Sequence, residues 1–188
     1  MPKVSVIIPL YKSEKYIGKC LSSLADQKYR DFDVILVDDC SPDNSVSVAE
    51  AEVQKLGMDN VTIIHNKSNL GPSKTRANGI AYSKSEYIAF CDSDDFYEKE
   101  HLQYMTEAAD NYTKDLVFCS YNSVYGSGKT VPHDMVSKIK NASQNEILAH
   151  GTDSLCCLMV RKSILDEIEF PDIRNGEDMS IIPLIIAH

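Results

Sequence analysis

Two short runs of carboxylates carry the strongest chemical signal in the chain: Asp38-Asp39, and Asp92-Ser93-Asp94-Asp95. Each follows directly on an apolar run, Val34-Ile35-Leu36-Val37 in the first case and Tyr87-Ile88-Ala89-Phe90-Cys91 in the second. Acids crowded together repel, and the repulsion is relieved when a cation joins them. Carboxylate oxygens are hard ligands that suit Mg²⁺ or Mn²⁺, and a cation held by few protein ligands keeps positions open for phosphate oxygens. An acidic sheet edge can in this way become a phosphate site. A third acidic feature, Asn175-Gly176-Glu177-Asp178, precedes an apolar stretch. An acid there either caps a helix through its dipole or serves as a general base on a rigid element. Singly, Asp38, Asp43 and Asp95 are each explained by helix capping or loop solvation. A cluster spread over two strand ends is not so easily explained.

These turns need elements to position them. Val4-Ser5-Val6-Ile7-Ile8-Pro9 reads as a first strand, and Ile17, Cys20, Leu21 and Leu24 fall at helical spacing behind it. The 34–37 run is continuously apolar, as strands covered on both faces are. Val46, Ala49, Val53 and Leu56 form the stripe of a second helix that stops at Gly57. Strands are expected at 61–65, 87–91, 116–120 and 155–161, with helices through Arg76 and Ile80, over 99–112, 145–150 and 163–168, and from 179 onward. Strand–helix alternation implies an α/β fold with a mostly parallel, doubly covered sheet. Ligands of such sheets bind beyond the carboxyl ends of the strands, where both acid turns fall.

The 188 residues are expected to form one domain, long enough to bury roughly 70% of its unfolded surface without disulfide or metal. Lys plus Arg number 19 against 28 Asp plus Glu, a net charge of −9 that disfavours nucleic-acid binding by charge alone. Six cysteines without C-x-x-C spacing read as reduced thiols of a cytosolic protein. Met1-Pro2-Lys3 runs straight into a strand pattern, so no signal peptide is expected, and no apolar stretch reaches the length of a membrane span. Gly126-Ser127-Gly128-Lys129-Thr130 imitates the end of a phosphate-binding loop. Ser123 stands where that pattern needs glycine, and no suitable strand feeds it. The five histidines lack metal spacing. The terminal apolar helix has no stop signal, as a chain cut inside a larger protein would look.

In this order the motifs resemble those of family 2 glycosyltransferases with the GT-A fold. The matching residues are 4–11, 31–41, Asn69-Leu70-Gly71, Arg76 to Gly79, 85–90, Asp92-Ser93-Asp94-Asp95 and Gly176-Glu177-Asp178. The resemblance implies a Rossmann-like, mostly parallel sheet with helices on both faces. It implies a nucleotide-binding half of about 1–95 and an acceptor-side half of 96–188, incomplete at its C-terminus. It implies inverting, metal-dependent transfer of a hexosyl or N-acetylhexosaminyl group. The donor would be a nucleotide sugar, usually a UDP-sugar, and the acceptor a glycan or lipid-linked hydroxyl in cell-surface polysaccharide synthesis. Carried over residue by residue, Pro9, Tyr11 and Glu14 line the nucleoside pocket and Asp39 holds the base. Arg76, Asp92 and Ser93 lie along the nucleotide, and Asp94, assisted by Asp92, ligates Mn²⁺ or Mg²⁺. Asp178 is the catalytic base and Glu177 faces the acceptor. The implied location is the cytoplasm, at the inner face of the membrane, with peripheral contact there. Three positions depart from the family pattern: Lys12 stands where asparagine is usual, Cys40 where glycine is common, and Arg76-Ala77-Asn78-Gly79 displaces the asparagine of Arg-Asn-x-Gly.

Other classes fit less well. A haloacid-dehalogenase-like, Mg²⁺-dependent phosphatase also ends a strand in D-x-D, but it calls for Thr or Val where Phe96 stands and leaves Asp38-Asp39 unused. A nucleotidyltransferase needs a glycine-rich loop after the first strand, and Leu10 to Glu14 contains no glycine. A nucleotide-binding module without turnover is the non-enzymatic alternative.

Overall fold

The computed structural model describes residues 1–139, 154–174 and 176–188. The helix expected over 145–150, and Asn175, lie outside the described residues. A six-stranded sheet forms the centre, in the order β3-β2-β1-β4-β8-β5. Its strands are β1 (Val4–Leu10), β2 (Phe32–Asp38), β3 (Val61–His65), β4 (Tyr87–Phe90), β5 (Leu116–Phe118) and β8 (Leu158–Arg161). β1 pairs in parallel with β2 and β4, and β2 with β3. A separate hairpin joins β6 (Tyr121–Val124) to β7 (Thr130–His133).

Side-chain alternation divides the apolar runs between two cores. Val4, Val6, Ile8 and Leu10, with Val34 and Leu36, face α1 (Ile17–Ala25), α2 (Ser45–Leu56) and α4 (His101–Tyr112). Ile7, Ile35, Val37, Ile88 and Phe90 face α3 (Gly71–Tyr82), α6 (Lys162–Glu167) and α7 (Asp178–Ala187). The short helix α5 (Met135–Ile139) follows the hairpin. The stripe expected for α1 is the stripe observed: Ile17, Cys20, Leu21 and Leu24 are its buried residues. In α2 only Ser45 and Ala49 are buried, while Val46, Val53 and Leu56 pack partly covered against the core.

The sheet is mostly parallel, as expected, but β8 runs antiparallel to both β4 and β5. Three- and four-residue strands that are apolar on both faces carry no direction signal. The segment expected as strand from residue 155 begins as a 3-10 turn, Leu155–Cys157, and only then becomes β8. The imitation phosphate loop is the turn between β6 and β7, closed by Tyr125 N–H donating to Lys129 O at 2.9 Å.

One contact seats α3. A Cβ built on Gly79 would lie 2.6 Å from Ile7 Cγ2 and 3.1 Å from Val37 Cγ2. The helix therefore lies on β1 and β2 as closely as a helix can. This matters because Arg76, one turn earlier on the same buried face, belongs to the site.

Candidate active site

The loops after β1, β2 and β4 meet at the carboxyl edge of the parallel strands. Ser13 ties them together: its N–H donates to Ser45 Oγ at 2.6 Å, and its hydroxyl lies 2.6 Å from that of Ser93. Tyr11, 42% exposed, and half-buried Pro9 stand beside this junction. Glu14 caps α2 through Oε2, which accepts from Asn44 N–H at 3.0 Å and from its side-chain amide at 3.1 Å. Lys12 and Cys40 adopt left-handed backbone, with φ of 54° and 58°. Asparagine and glycine enter that region at least cost. The family residues displaced at these two positions are the ones the backbone would favour.

The acids after β2 are tied up within the protein. Asp39 is 3% exposed. Its Oδ1 accepts from Leu70 N–H and Asn66 Nδ2, each at 2.8 Å, and its Oδ2 accepts from Gly71 N–H at 2.9 Å. Asp39 thus fixes the loop that starts α3, and Gly71 meets it with φ of 79°. Asp38 accepts from Ser41 N–H at 3.0 Å and lies 3.2 Å from His65 Nδ1. Asp43 accepts from the N–H and hydroxyl of Ser45 at the start of α2. The local explanation holds for Asp38 and Asp43.

The acids after β4 are placed differently. One ligand atom each from Asp92, Asp95 and Cys156 lies within 4.8 Å of the other two. Partial burial of its carboxyl, with Asp92 and Asp94 nearby, pushes Asp95 up to about 6, although the residue, like Asp94, is exposed. Burial, aided by Asp92, pushes the Cys156 thiol well up, so it stays neutral near pH 7. Asp94 is exposed and lies outside this group of three. The two carboxylates fit a hard dication; the neutral thiol adds no charge to the set. The sequence named Asp92 and Asp94 for this task. Asp95 is visible in the acid run, where capping explains it singly; Cys156 emerges only from the fold, since it is 64 positions from Asp92 and carries no spacing signal.

The Gly176-Glu177-Asp178 motif folds back onto the same edge. Arg76 on α3 is 3% exposed. Its Nη2 donates to Asp92 Oδ1 at 2.6 Å and its Nη1 to Glu177 Oε1 at 2.5 Å, with Asp178 Oδ1 at 3.7 Å from Nη1. Asp178 opens α7, and its Oδ2 accepts from Leu155 N–H at 3.2 Å. Its Oδ1 is buried and has no hydrogen-bond partner among the described residues. Burial raises the Asp178 carboxyl to about 6; Arg76 and the Leu155 N–H oppose that rise, while Asp92 and Glu177 add to it. A half-buried carboxylate with a free oxygen and a pKa near neutrality is equipped to accept a proton. Glu177, 8% exposed, is occupied with Arg76.

The histidines take structural places: His65 on Asp38, His101 tilted against Tyr97, His133 stacked on Tyr121 and His188 on Glu167. His150 lies outside the described residues. The six cysteines are present as thiols, and Cys40 is exposed. A shallow apolar groove near the start of β3, lined by Val53, Met58, Val61 and Ile63, stands apart from the acids.

A parallel β3-β2-β1-β4 sheet with acid turns after β2 and β4, and a third acid pair brought in by a late helix, defines a GT-A glycosyltransferase fold. The chain belongs to glycosyl transferase family 2, whose model matches residues 5–169. It is 37% identical over 137 residues to the poly(ribitol-phosphate) beta-N-acetylglucosaminyltransferase TarS of Staphylococcus aureus (strain Mu50), covering 72% of this chain and 23% of TarS. It is 27% identical over 193 residues to the minor teichoic acid biosynthesis protein GgaB of Bacillus subtilis (strain 168), covering 97% of this chain and 21% of GgaB. The crystal structure of TarS 1–349 in complex with UDP-GlcNAc superposes with a TM-score of 0.83 at 31% identity, over 98% of this chain and 53% of that one. A Pyrobaculum calidifontis mannosyltransferase crystallised with GDP-Man and Mn²⁺ shares the fold, with a TM-score of 0.74 at 16% identity. The chain spans about a quarter of these curated relatives and about half of the crystallised TarS chain. Among the described residues no helix is long and apolar enough to cross a membrane.

Proposed function

We propose that this chain is the donor-binding, catalytic part of an inverting glycosyltransferase. It moves a hexosyl or N-acetylhexosaminyl group from a UDP-sugar to a hydroxyl of a glycan or lipid-linked acceptor, in cell-surface polysaccharide synthesis at the cytoplasmic face of the membrane. The observation that carries this reading is the meeting of two sets of acids at one sheet edge: Asp92 and Asp95 from the turn after β4, and Asp178 from α7. Relatives described by their activity or role, one crystallised with UDP-GlcNAc, support the choice of donor and pathway.

Pro9, Tyr11 and Glu14 would line the nucleoside pocket, with Asp39 shaping the loop beside the base, Asp92 facing the ribose and diphosphate, and Arg76 and Ser93 near the nucleotide. Asp92 and Asp94, with Asp95 beside them, would hold Mn²⁺ or Mg²⁺. That cation would neutralise the charge growing on the departing diphosphate. Asp178 would take the acceptor hydroxyl proton as the acceptor oxygen attacks the anomeric carbon. The new C–O bond forms on one face while the bond to the diphosphate breaks on the other, so configuration inverts and UDP leaves. Glu177 would border the acceptor. Residues 1–95 would supply the donor half and 96–188 the start of the acceptor half.

The test is calorimetry of UDP binding with and without Mn²⁺, together with assay of UDP release from UDP-sugars. Mn²⁺-dependent binding that Asp94→Asn abolishes is expected. Unchanged affinity in Asp94→Asn removes that residue from the cation site. Binding without any UDP release makes the chain a nucleotide-binding module instead.

A further inference from the structure

The same geometry assigns a role to Arg76. We propose that Arg76 is a positioning residue: its guanidinium seats the first turn of α7, and with it Asp178, against the acid turn that follows β4. The role in catalysis rests on the reading of function above; the seating itself does not.

The guanidinium is a rigid planar fork, and here each terminal nitrogen is bonded to a carboxylate from a different element. One is Asp92, 16 residues away; the other is Glu177, 101 residues away. Glu177 is also where α7 begins, because its carbonyl accepts the N–H groups of Ser180 and Ile181, each at 2.9 Å. Holding the Glu177 side chain therefore holds the first turn of the helix. A second tie, Leu155 N–H to Asp178 Oδ2, fixes the rotation of the Asp178 carboxylate about that anchor. With both attachments made, Asp178 Oδ1 is left buried and, among the described residues, without a hydrogen bond, in ion-pair range of the guanidinium at 3.7 Å.

Burial separates this role from contact with the phosphates. Arg76 is 3% exposed, so a phosphate oxygen would have to displace a carboxylate to reach a terminal nitrogen. The charge count points the same way. One guanidinium stands against Asp92, Glu177 and Asp178 and cannot balance all three, so the edge stays negative even before Asp94 and Asp95 are counted, which suits a dication. Without Arg76 the three acids would repel, and the first turn of α7 would lose its tie to the donor side. The seat of Arg76 is itself fixed, because Gly79 holds α3 against Ile7 and Val37.

The experiment compares Arg76→Ala, Arg76→Lys and Glu177→Gln with the unaltered chain. It reads amide hydrogen exchange, UDP affinity with Mn²⁺, and steady-state transfer. Faster exchange at Leu155, Ser180 and Ile181 is expected in Arg76→Ala and Glu177→Gln. Transfer kcat should fall in Arg76→Ala by on the order of 10²-fold, the scale of a misplaced catalytic group, and by far more than UDP affinity falls. Arg76→Lys, which keeps the charge and loses the fork, should recover part of the kcat. Unchanged exchange at those amides overturns the proposal, as does UDP affinity that falls in step with kcat. If Arg76→Ala does not fold, Arg76→Lys and Glu177→Gln give the same comparison. If the unaltered chain neither transfers nor releases UDP from any UDP-sugar, the reading of function fails while hydrogen exchange still decides the seating.

Discussion

The turn after β2 and the turn after β4 lie on the same sheet edge and carry the same residue type, yet the protein treats their acids in opposite ways. Asp39 is buried, and three N–H groups from the 66–71 loop fill its two oxygens. Asp92 and Asp95 stand in a crowded, half-open group, and burial with neighbouring charge drives Asp95 up to about 6. In the first turn the protein's own N–H groups satisfy the Asp39 oxygens, and the turn serves as an anchor. The second is incomplete: Arg76 supplies one positive charge, and the acids around it call for more. Acid motifs that look alike in sequence can thus divide the labour of building a site and of running it.

The largest effect should come where the second turn reaches α7. Asp178→Asn is expected to keep UDP binding and lose about 10²- to 10⁴-fold in transfer rate, the usual contribution of a positioned base. In the unaltered protein the rate should fall about tenfold per pH unit below pH 6, because the carboxyl near 6 must be deprotonated to accept the proton. Retained transfer in Asp178→Asn would remove it as the base. The next effect belongs to the anchor. Asp39→Ala leaves the Leu70 and Gly71 N–H groups without their acceptor and should cost about 2–4 kcal/mol in denaturant unfolding. A loss under 1 kcal/mol would mean the first turn is not the anchor described here.

Asp95→Asn should act in the opposite direction, and weakly. The folded-state pKa of Asp95 is raised from 3.8 to about 6, so its favourable contribution is complete below pH 3.8 and is lost as pH rises through 6. Removing the charge should stabilise the metal-free protein at pH 7 by under about 1 kcal/mol, given the open edge of the side chain. It should also flatten the decline in melting temperature between pH 4 and 7. A destabilised Asp95→Asn at pH 7 without metal would erase the contrast between the turns. The smallest effect is expected at Cys40. Glycine there relieves a left-handed backbone worth roughly 1–2 kcal/mol but gives back up to about 1 kcal/mol in chain entropy. Cys40→Gly should therefore raise stability by under about 1 kcal/mol, measurable as a small increase in melting temperature.

Much of this was legible in the sequence, for physical reasons. The runs 4–9 and 34–37 are apolar at every or nearly every position, the mark of strands buried on both faces, and both are central strands. Ile17, Cys20, Leu21 and Leu24 repeat at a helical period, and that face is buried. The acids at the ends of β2 and β4 follow from strand boundaries alone. What could not be read was direction and distance. Strand β8 runs antiparallel, and its few residues say nothing of orientation. Nothing in the chain announces that Arg76 and Glu177 touch, or that Cys156 sits beside Asp92, because those contacts are made by the packing of α3 and the 154–157 turn. One signal was available for Arg76: a charged residue on the face of α3 that also carries Gly79 and Ile80 must meet a partner inside.

The seat of α3 has a consequence for engineering. With no space for a methyl group between Gly79 and the strands beneath it, this helix and the middle of the sheet behave as one casting. A chimera that borrows α3 from another glycosyltransferase would have to borrow the residues at positions 7 and 37 along with it. Otherwise the arginine would arrive at the wrong height above the floor of the active site.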